Sequence, residues 1–395
     1  MNSWISLRRI EMTNFDRFPE ELREYYFGLF GEEAEIIMEK LLEPVEKYYI
    51  RVNTLKVSRE KLVEELRREG LRPRRSPYIE EGIYFEREGP NFPDDYNPKL
   101  PRVIVNKFAA ESVYQGANLY APGVLKADKG IKEGDEVQIR DPRGLLVGIG
   151  VASMNYKDMA VKKRGLAVKI TKPKFSLPSL SELKSYEKGY FYAQSLPSMV
   201  VTHVLEPSEE DLIVDMAAAP GGKTSHIAQL LQNRGEIIAM DKSKNRLKKM
   251  EEELRRLGVK NVKLIHMDSR KLPELGIKAD KILLDAPCTA LGIRPKLWES
   301  RTPRDIEATS RYQRHFINAA IKSLRRGGVL VYSTCTLSYE ENEGNVLYML
   351  KKGLKLEEQK IFIGSPGIGI KGVQRFYPHK HMTQGFFIAR LRKVE

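Results

Sequence analysis

Two cysteines, Cys288 and Cys335, are all that the 395 residues contain. So few thiols exclude a disulfide-stapled secreted scaffold and a thiolate-rich structural zinc site. No stretch approaches the roughly 20 consecutive apolar residues that cross a bilayer. The opening MNSWISLRRIEM also lacks the apolar core of a secretory leader. A soluble, cytoplasmic chain with no membrane partner is the expectation. Internal repeats and low-complexity tracts are missing as well, which excludes solenoids and wholly disordered chains. Acidic residues are in deficit: 67 Lys+Arg stand against 53 Asp+Glu, a net charge of +14. That excess fits a polyanionic partner, against the plainer reading of a basic enzyme whose charge only aids solubility.

What is there divides into three parts, and 41% hydrophobic residues are enough for two or three cores. Residues 1–100 read as an N-terminal α+β unit with an RNA-binding role. It has an extended run at Tyr49–Leu55, a helix capped by Ser58 and stopped at Gly70, and a short apolar run at Tyr84 and Phe85. Residues 88–102 hold four prolines and mark a boundary. Residues 101–175 form a small barrel-like β domain, with β-prone runs at Val103–Val105, Val137–Ile139, Leu145–Val151 and Leu166–Ile170. Its 14 Lys+Arg against 7 Asp+Glu hold half of the chain's excess charge. The most basic stretch is Lys157, Lys162, Lys163, Arg164, Lys169, Lys172 and Lys174, suited to phosphate contact or to a solvated face.

Residues 176–395 alternate strand and helix, the rhythm of a parallel sheet covered on both faces. Strands are expected at Asp211–Met216, Glu236–Met240, Val262–His266, Lys281–Asp285 and Gly328–Ser333, with a C-terminal pair at Glu357–Ile361 and Gly385–Leu391. Leu247, Met250, Leu254 and Leu257 recur at helical spacing before Gly258. Thr302, Pro303 and Asp305 open a further helix expected to reach Arg326.

The loop after the first of these strands reads Asp215-Met-Ala-Ala-Ala-Pro-Gly-Gly-Lys-Thr224. Small residues and glycines at a helix N-terminus let a ligand approach the backbone closely. A phosphate-binding P-loop would need glycine where Ala217 stands, and a dinucleotide fingerprint is absent. The remaining reading is a site for S-adenosyl-L-methionine, in which Ala217, Ala218, Ala219, Pro220, Gly221, Gly222, Lys223 and Thr224 wrap the methionine end and ribose. Acids at successive strand ends favour it. Asp241 is placed for the ribose hydroxyls, Asp268 for the adenine amino group, and Asp285 for the reacting end.

Both cysteines also follow strands, in Asp285-Ala-Pro-Cys-Thr289 and Ser333-Thr-Cys-Thr336. Buried apolar filler is the ordinary explanation of a cysteine, and it is a poor one for two at the same sheet edge. Carbon 5 of cytosine is too weak a nucleophile to attack a sulfonium methyl. A thiolate added at carbon 6 makes it an enamine, and the carbon 5 proton then leaves as the thiolate is expelled. Asp285 is placed to favour that electron shift from the N3/N4 edge. The residues alone leave open which cysteine attacks.

DMAAAPGGKT, MDKS, HMDSR, DAPCT and STCT, in this order, resemble the NSUN (Sun/Nop) family of RNA cytosine-5 methyltransferases over about Tyr190 to Arg390. The resemblance implies a Rossmann-like α/β catalytic domain in which Cys335 is the nucleophile and Cys288 helps to resolve the adduct. DNA cytosine methyltransferases use the cysteine of a Pro-Cys motif instead. Lys223 resembles the family's loop lysine, Gln194 and Ser195 resemble pocket residues, and His381-Met-Thr-Gln-Gly-Phe-Phe387 resembles the last motif. Where many relatives continue Asp-Ala-Pro-Cys with Ser-Gly, Ala290 replaces the glycine, and Pro295 interrupts a basic pair. Residues 101–172 resemble a PUA domain, best at Ala110–Val124, with Lys107, Tyr114, Tyr120 and Lys126 as candidate RNA contacts, each by itself more often ordinary surface or core. An inserted PUA unit points to the subgroup that methylates cytosine 72 of the tRNA acceptor stem. The expected partner is therefore tRNA, with ribosomal RNA as the alternative. No DNA, no metal and a monomeric chain complete the expectation.

Overall fold

The structure, a computed structural model, describes residues 14–91, 97–161 and 164–394. Lys162 and Lys163 of the basic stretch lie outside the described residues. Five parallel strands, β1 (Leu212–Asp215), β2 (Glu236–Asp241), β3 (Val262–His266), β4 (Ala279–Asp285) and β5 (Leu324–Thr334), lie in the order β3-β2-β1-β4-β5. Antiparallel β6 (Phe386–Lys393) then pairs with β5. The period of two sorts the side chains onto opposite faces. Val214, Ile282, Leu284, Leu330 and Tyr332 pack under Phe316, Ile317 and Ala320, while Ile213, Ile237, Leu283 and Val331 pack against Met199, Val200 and Ile227. Each fully buried aliphatic side chain contributes about 1.5–3 kcal/mol. The strand order reverses between β1 and β4, so a crevice opens at their carboxyl ends.

Local signals place the helices that frame this crevice. Helix α1 (Gly222–Leu230) follows β1, and α2 (Lys244–Leu257) starts on the Ser243 side chain and ends at Gly258, with φ of 76°. Helix α3 (Pro303–Ser323) begins with the Thr302–Asp305 capping box. It stops at Ser323, short of the expected Arg326. Leu324 already pairs with Ala279 of β4, and Arg325 forms an ion pair with Asp280, so sheet pairing overrides the helical pattern. The expected strand at Glu357–Ile361 is also corrected. The strand is Leu354–Leu356, and Glu357 beyond it is held by Arg390 and Arg392 of β6.

The N-terminal unit has a four-stranded antiparallel sheet in the order Phe191–Ala193, Lys47–Val52, Gly82–Glu86, Arg74–Arg75. Its edge strand comes from beyond the β domain: residues 191–193 build onto the first unit. The helices Glu20–Phe30 and Glu33–Leu42 likewise bury Leu22, Tyr26, Ile37 and Leu41 against Leu291, Ile306 and Leu337 of the catalytic domain. Ser58 caps Arg59–Arg68 by accepting from the Lys61 amide, as its position predicts. Glu81 joins the units again, its Oε1 lying 2.6 Å from His203 Nε2 and 2.7 Å from His226 Nε2.

Residues 102–173 form a six-stranded sheet with the helices Lys107–Tyr114, capped by Asn106, and Tyr156–Val161. A Cβ at Gly123 would lie 2.5 Å from that of Ala109, which explains the glycine before the strand Val124–Ala127. Two of the four candidate RNA contacts take the ordinary structural reading. Tyr114 is buried edge-on against Phe175, and Lys107 lies over the Trp298 ring, 3.9 Å from Glu111. Tyr120 and Lys126 are exposed.

Candidate active site

Neighbouring parallel strands in register bring the two cysteines together. Asp285 of β4 pairs with Ser333 of β5, and the chain continues three residues to Cys288 and two to Cys335. Their sulfurs lie 3.2 Å apart, both thiols free and half-buried. The hydrogen bond to Cys335, with burial, raises the Cys288 pKa well above the ordinary thiol range. The Cys288 loop turns at Ala290, whose φ of 56° lies in the left-handed region that favours glycine. It is then clamped at Gly292. That amide donates to the Cys335 carbonyl (2.9 Å), and the Gly292 carbonyl accepts from Gly385 (2.8 Å). A Cβ at Gly292 would overlap the Gly385 carbonyl.

Beside the thiols, Asp285 accepts from Lys223 Nζ (2.6 Å) and from the Ser333 hydroxyl (2.7 Å). Ala217, Ala218, Ala219, Pro220, Gly222, Lys223 and Asp285 wall one cavity with Asp215, Tyr192, Gln194, Ser195 and Ser198. Gly221 and Thr224 do not line it but shape it. Gly221 turns the chain into α1 with φ of 101°, and Thr224 donates to the buried Asp215 at 2.7 Å. Burial pushes Asp215 up to about 6, opposed by the Thr224 bond and the Lys223 charge. Asp241 and Asp268 stand outside the cavity wall. Asp241 accepts from Ser243 and pairs with Arg246 at 3.2 Å, while Asp268 caps the turn before Arg270 and pairs with it. His381 is half-buried, its Nδ1 accepting from the Tyr377 amide at 2.8 Å.

Sequence reasoning missed three buried groups. Arg51, from the N-terminal sheet, donates to Gly222 O (2.6 Å), Ser225 Oγ (2.8 Å), Gln229 Oε1 (3.1 Å) and Gln194, two of which line the cavity. Glu341 accepts from the amide and hydroxyl of Thr289, beside Cys288. Arg375 pairs with Glu343 and donates to the carbonyls of Leu337 and Ser338, just beyond Cys335. Asn53 docks the same sheet by donating to Gly189 O and Leu257 O.

The donor set suits S-adenosylmethionine: a helix N-terminus and Lys223 would hold its carboxylate, small residues would let it lie against backbone, and Asp285 of the wall stands three residues before Cys288. Fold and site together define an S-adenosylmethionine-dependent methyltransferase with a cysteine pair. Residues 202–392 match the 16S rRNA methyltransferase RsmB/F family, residues 101–173 the PUA domain, and residues 19–91 the ferredoxin-like domain of RsmF/B-like methyltransferases. The tRNA (cytosine(72)-C(5))-methyltransferase of Pyrococcus horikoshii is 77% identical over 385 residues, covering 97% of this chain and 99% of that protein. Human tRNA (cytosine(72)-C(5))-methyltransferase NSUN6 is 30% identical, covering 95% and 90%. A crystal structure of NSun6 from P. horikoshii with SFG, an S-adenosylmethionine analogue, superposes with a TM-score of 0.92 at 77% identity, covering 96% of this chain and 99% of that one. The chain belongs to the NSUN family of RNA cytosine-5 methyltransferases.

Proposed function

We propose that this enzyme methylates carbon 5 of cytosine 72 in the tRNA acceptor stem, with Cys335 as nucleophile and Cys288 as the thiol that assists release. The observation that carries this reading is the sulfur pair 3.2 Å apart beside Asp285, at the mouth of the Lys223 loop. Bound S-adenosylmethionine supplies the methyl electrophile. Cys335 forms a bond to carbon 6, and the ring electrons shift toward N3 and carbon 5. Asp285, with its second oxygen held by Ser333, is oriented to stabilise the N3/N4 edge. After methylation the carbon 5 proton leaves, the carbon 5–carbon 6 double bond reforms, and the Cys335 thiolate is expelled. A base inside a duplex is out of reach of such a site, so the nucleotide is extruded.

A second groove supports an RNA approach. Lys47, Tyr48, Tyr49, Gln115, Arg294 and Gln384 line it, and it shares Ala193, Gln194 and Ser195 with the cofactor cavity. All three parts of the chain contribute to it. The PUA unit, with Tyr120 and Lys126 exposed, holds the acceptor end. One base pair cannot identify a tRNA, so a shape-reading domain beside the site supplies the selectivity.

Labelled S-adenosylmethionine, unmodified total tRNA and bisulfite mapping test the proposal, with Cys335→Ala beside the wild type. Label at cytosine 72, absent from the variant, is the expected result. Label at another tRNA position or only in ribosomal RNA would overturn the subgroup assignment, and label retained by Cys335→Ala would overturn the nucleophile.

A further inference from the structure

Two sulfurs 3.2 Å apart are joined by one hydrogen bond, and the sulfur that lacks the proton is the one able to attack. We propose that Glu341 is a positioning residue that keeps this proton on Cys288 and so leaves the thiolate to Cys335. The inference rests on Cys335 as the attacking sulfur. Glu341 is fully buried. One of its oxygens accepts from the Thr289 amide (2.9 Å) and Gln313 Nε2 (3.0 Å), and the other from the hydroxyls of Thr289 (2.6 Å) and Ser338 (2.7 Å). Burial raises the Glu341 carboxyl above its ordinary range, and the four donors oppose that rise because they satisfy the ionised form. All four partners are neutral, so the carboxylate's charge is not cancelled within its own hydrogen-bond shell.

The placement is asymmetric. The Thr289 amide that donates to Glu341 belongs to the peptide that immediately follows Cys288. On the Cys335 side its links fall further from the sulfur, to the Ser338 hydroxyl three residues on and, through the Thr289 hydroxyl, to Thr336 at 2.9 Å. The other groups around the sulfurs add little net charge. Asp285 is paired with Lys223 at 2.6 Å, and burial keeps the Tyr332 phenol neutral by raising its pKa well above the ordinary range. Glu341 is the uncompensated charge, and a negative charge beside a thiol disfavours its thiolate. Its effect on Cys288 has that sign. The same carboxylate binds the Cys288 loop to Ser338, so it also holds the two loops at their spacing.

The test is limited alkylation of the full-length protein with iodoacetamide, without RNA, between pH 7 and pH 9, each thiol being quantified by peptide mass mapping. In the wild type, Cys335 is expected to react at least tenfold faster than Cys288. In Glu341→Gln the ratio falls at least fivefold, and Cys288 labelling begins at lower pH. Glu341→Asp, which keeps the charge, retains the preference for Cys335. Equal or reversed labelling in the wild type overturns the proposal. An unchanged ratio in Glu341→Gln overturns it too, as does Glu341→Asp behaving like Glu341→Gln. Should Glu341→Gln fail to fold, the wild-type ratio and Glu341→Asp still decide. Because no RNA is present, an error in the assignment of Cys335 appears separately, as a covalent RNA adduct surviving in Cys335→Ala.

Discussion

Replacing Arg375 by methionine tests how the segment after Cys335 is held. Arg375 and Glu343 are both fully buried, with Nε 2.6 Å from one Glu343 oxygen and a second contact from the other guanidinium nitrogen. Arg375 also donates to the carbonyls of Leu337 (2.8 Å) and Ser338 (3.3 Å). Arg375→Met removes all of these bonds at once. It leaves the Glu343 carboxylate in the interior with the Ile368 amide as its remaining donor. Breaking one side of a buried ion pair costs about 3–5 kcal/mol, a large share of the roughly 5–15 kcal/mol that holds a domain folded. Removing both sides costs far less, because no charge is stranded. Arg375→Met/Glu343→Leu should therefore be more stable than Arg375→Met alone. Urea unfolding of the three proteins, compared at matched m-values, measures this. The rate of detergent-stable RNA adduct formation should also fall at least tenfold in the single variant, because Leu337 and Ser338 lie next to the nucleophile segment. An Arg375→Met protein within about 1 kcal/mol of wild type, or a double variant no better than the single, would refute the reasoning.

Glu46 gives a pH-dependent test: burial alone would raise its carboxyl, but Arg294 and Lys40 bring it from 4.5 down to about 2. A depressed carboxyl contributes stability above its unfolded pKa and loses it as pH falls toward the folded one. The deficit of Glu46→Gln should thus be about 3 kcal/mol at pH 7 and shrink between pH 4.5 and pH 2; a pH-independent difference in urea midpoints would contradict this. Gly292→Ala forces a Cβ into the Gly385 carbonyl and displaces the Cys288 loop. Turnover should drop tenfold or more while S-adenosylhomocysteine affinity, read by titration calorimetry, changes less than twofold. Arg51→Met removes the bonds to Gly222 and Gln194 in the cofactor wall, so the same titration should show binding weakened tenfold or more. Unaltered affinity would mean that Arg51 only joins the two units.

Much of the site was legible because it is local. The small residues from Ala217 to Gly222 and the caps at Ser58, Ser243 and Thr302 act within a few residues of themselves, where side-chain type and spacing determine the outcome. The two cysteines were readable as neighbours for the same reason: each follows a strand, and adjacent parallel strands end at one edge. Their 3.2 Å separation was not, because it depends on the register of Asp285 with Ser333 and on the clamp at Gly292. Tyr114 and Lys107 looked like RNA contacts by residue type, and only packing against Phe175 and Trp298 showed otherwise. Arg51, Glu341 and Arg375 were invisible for a related reason. A charged residue in a sequence reads as surface, and a buried one is identified only by partners as distant as Gln229 from Arg51, Thr289 from Glu341 and Glu343 from Arg375. The sequence by itself determined the chemistry the chain carries, since thiols, carboxylates and a glycine-bearing loop are properties of residues. The tertiary structure decided which of those groups share a low-dielectric space, where a hydrogen bond or an uncancelled charge sets what each one does.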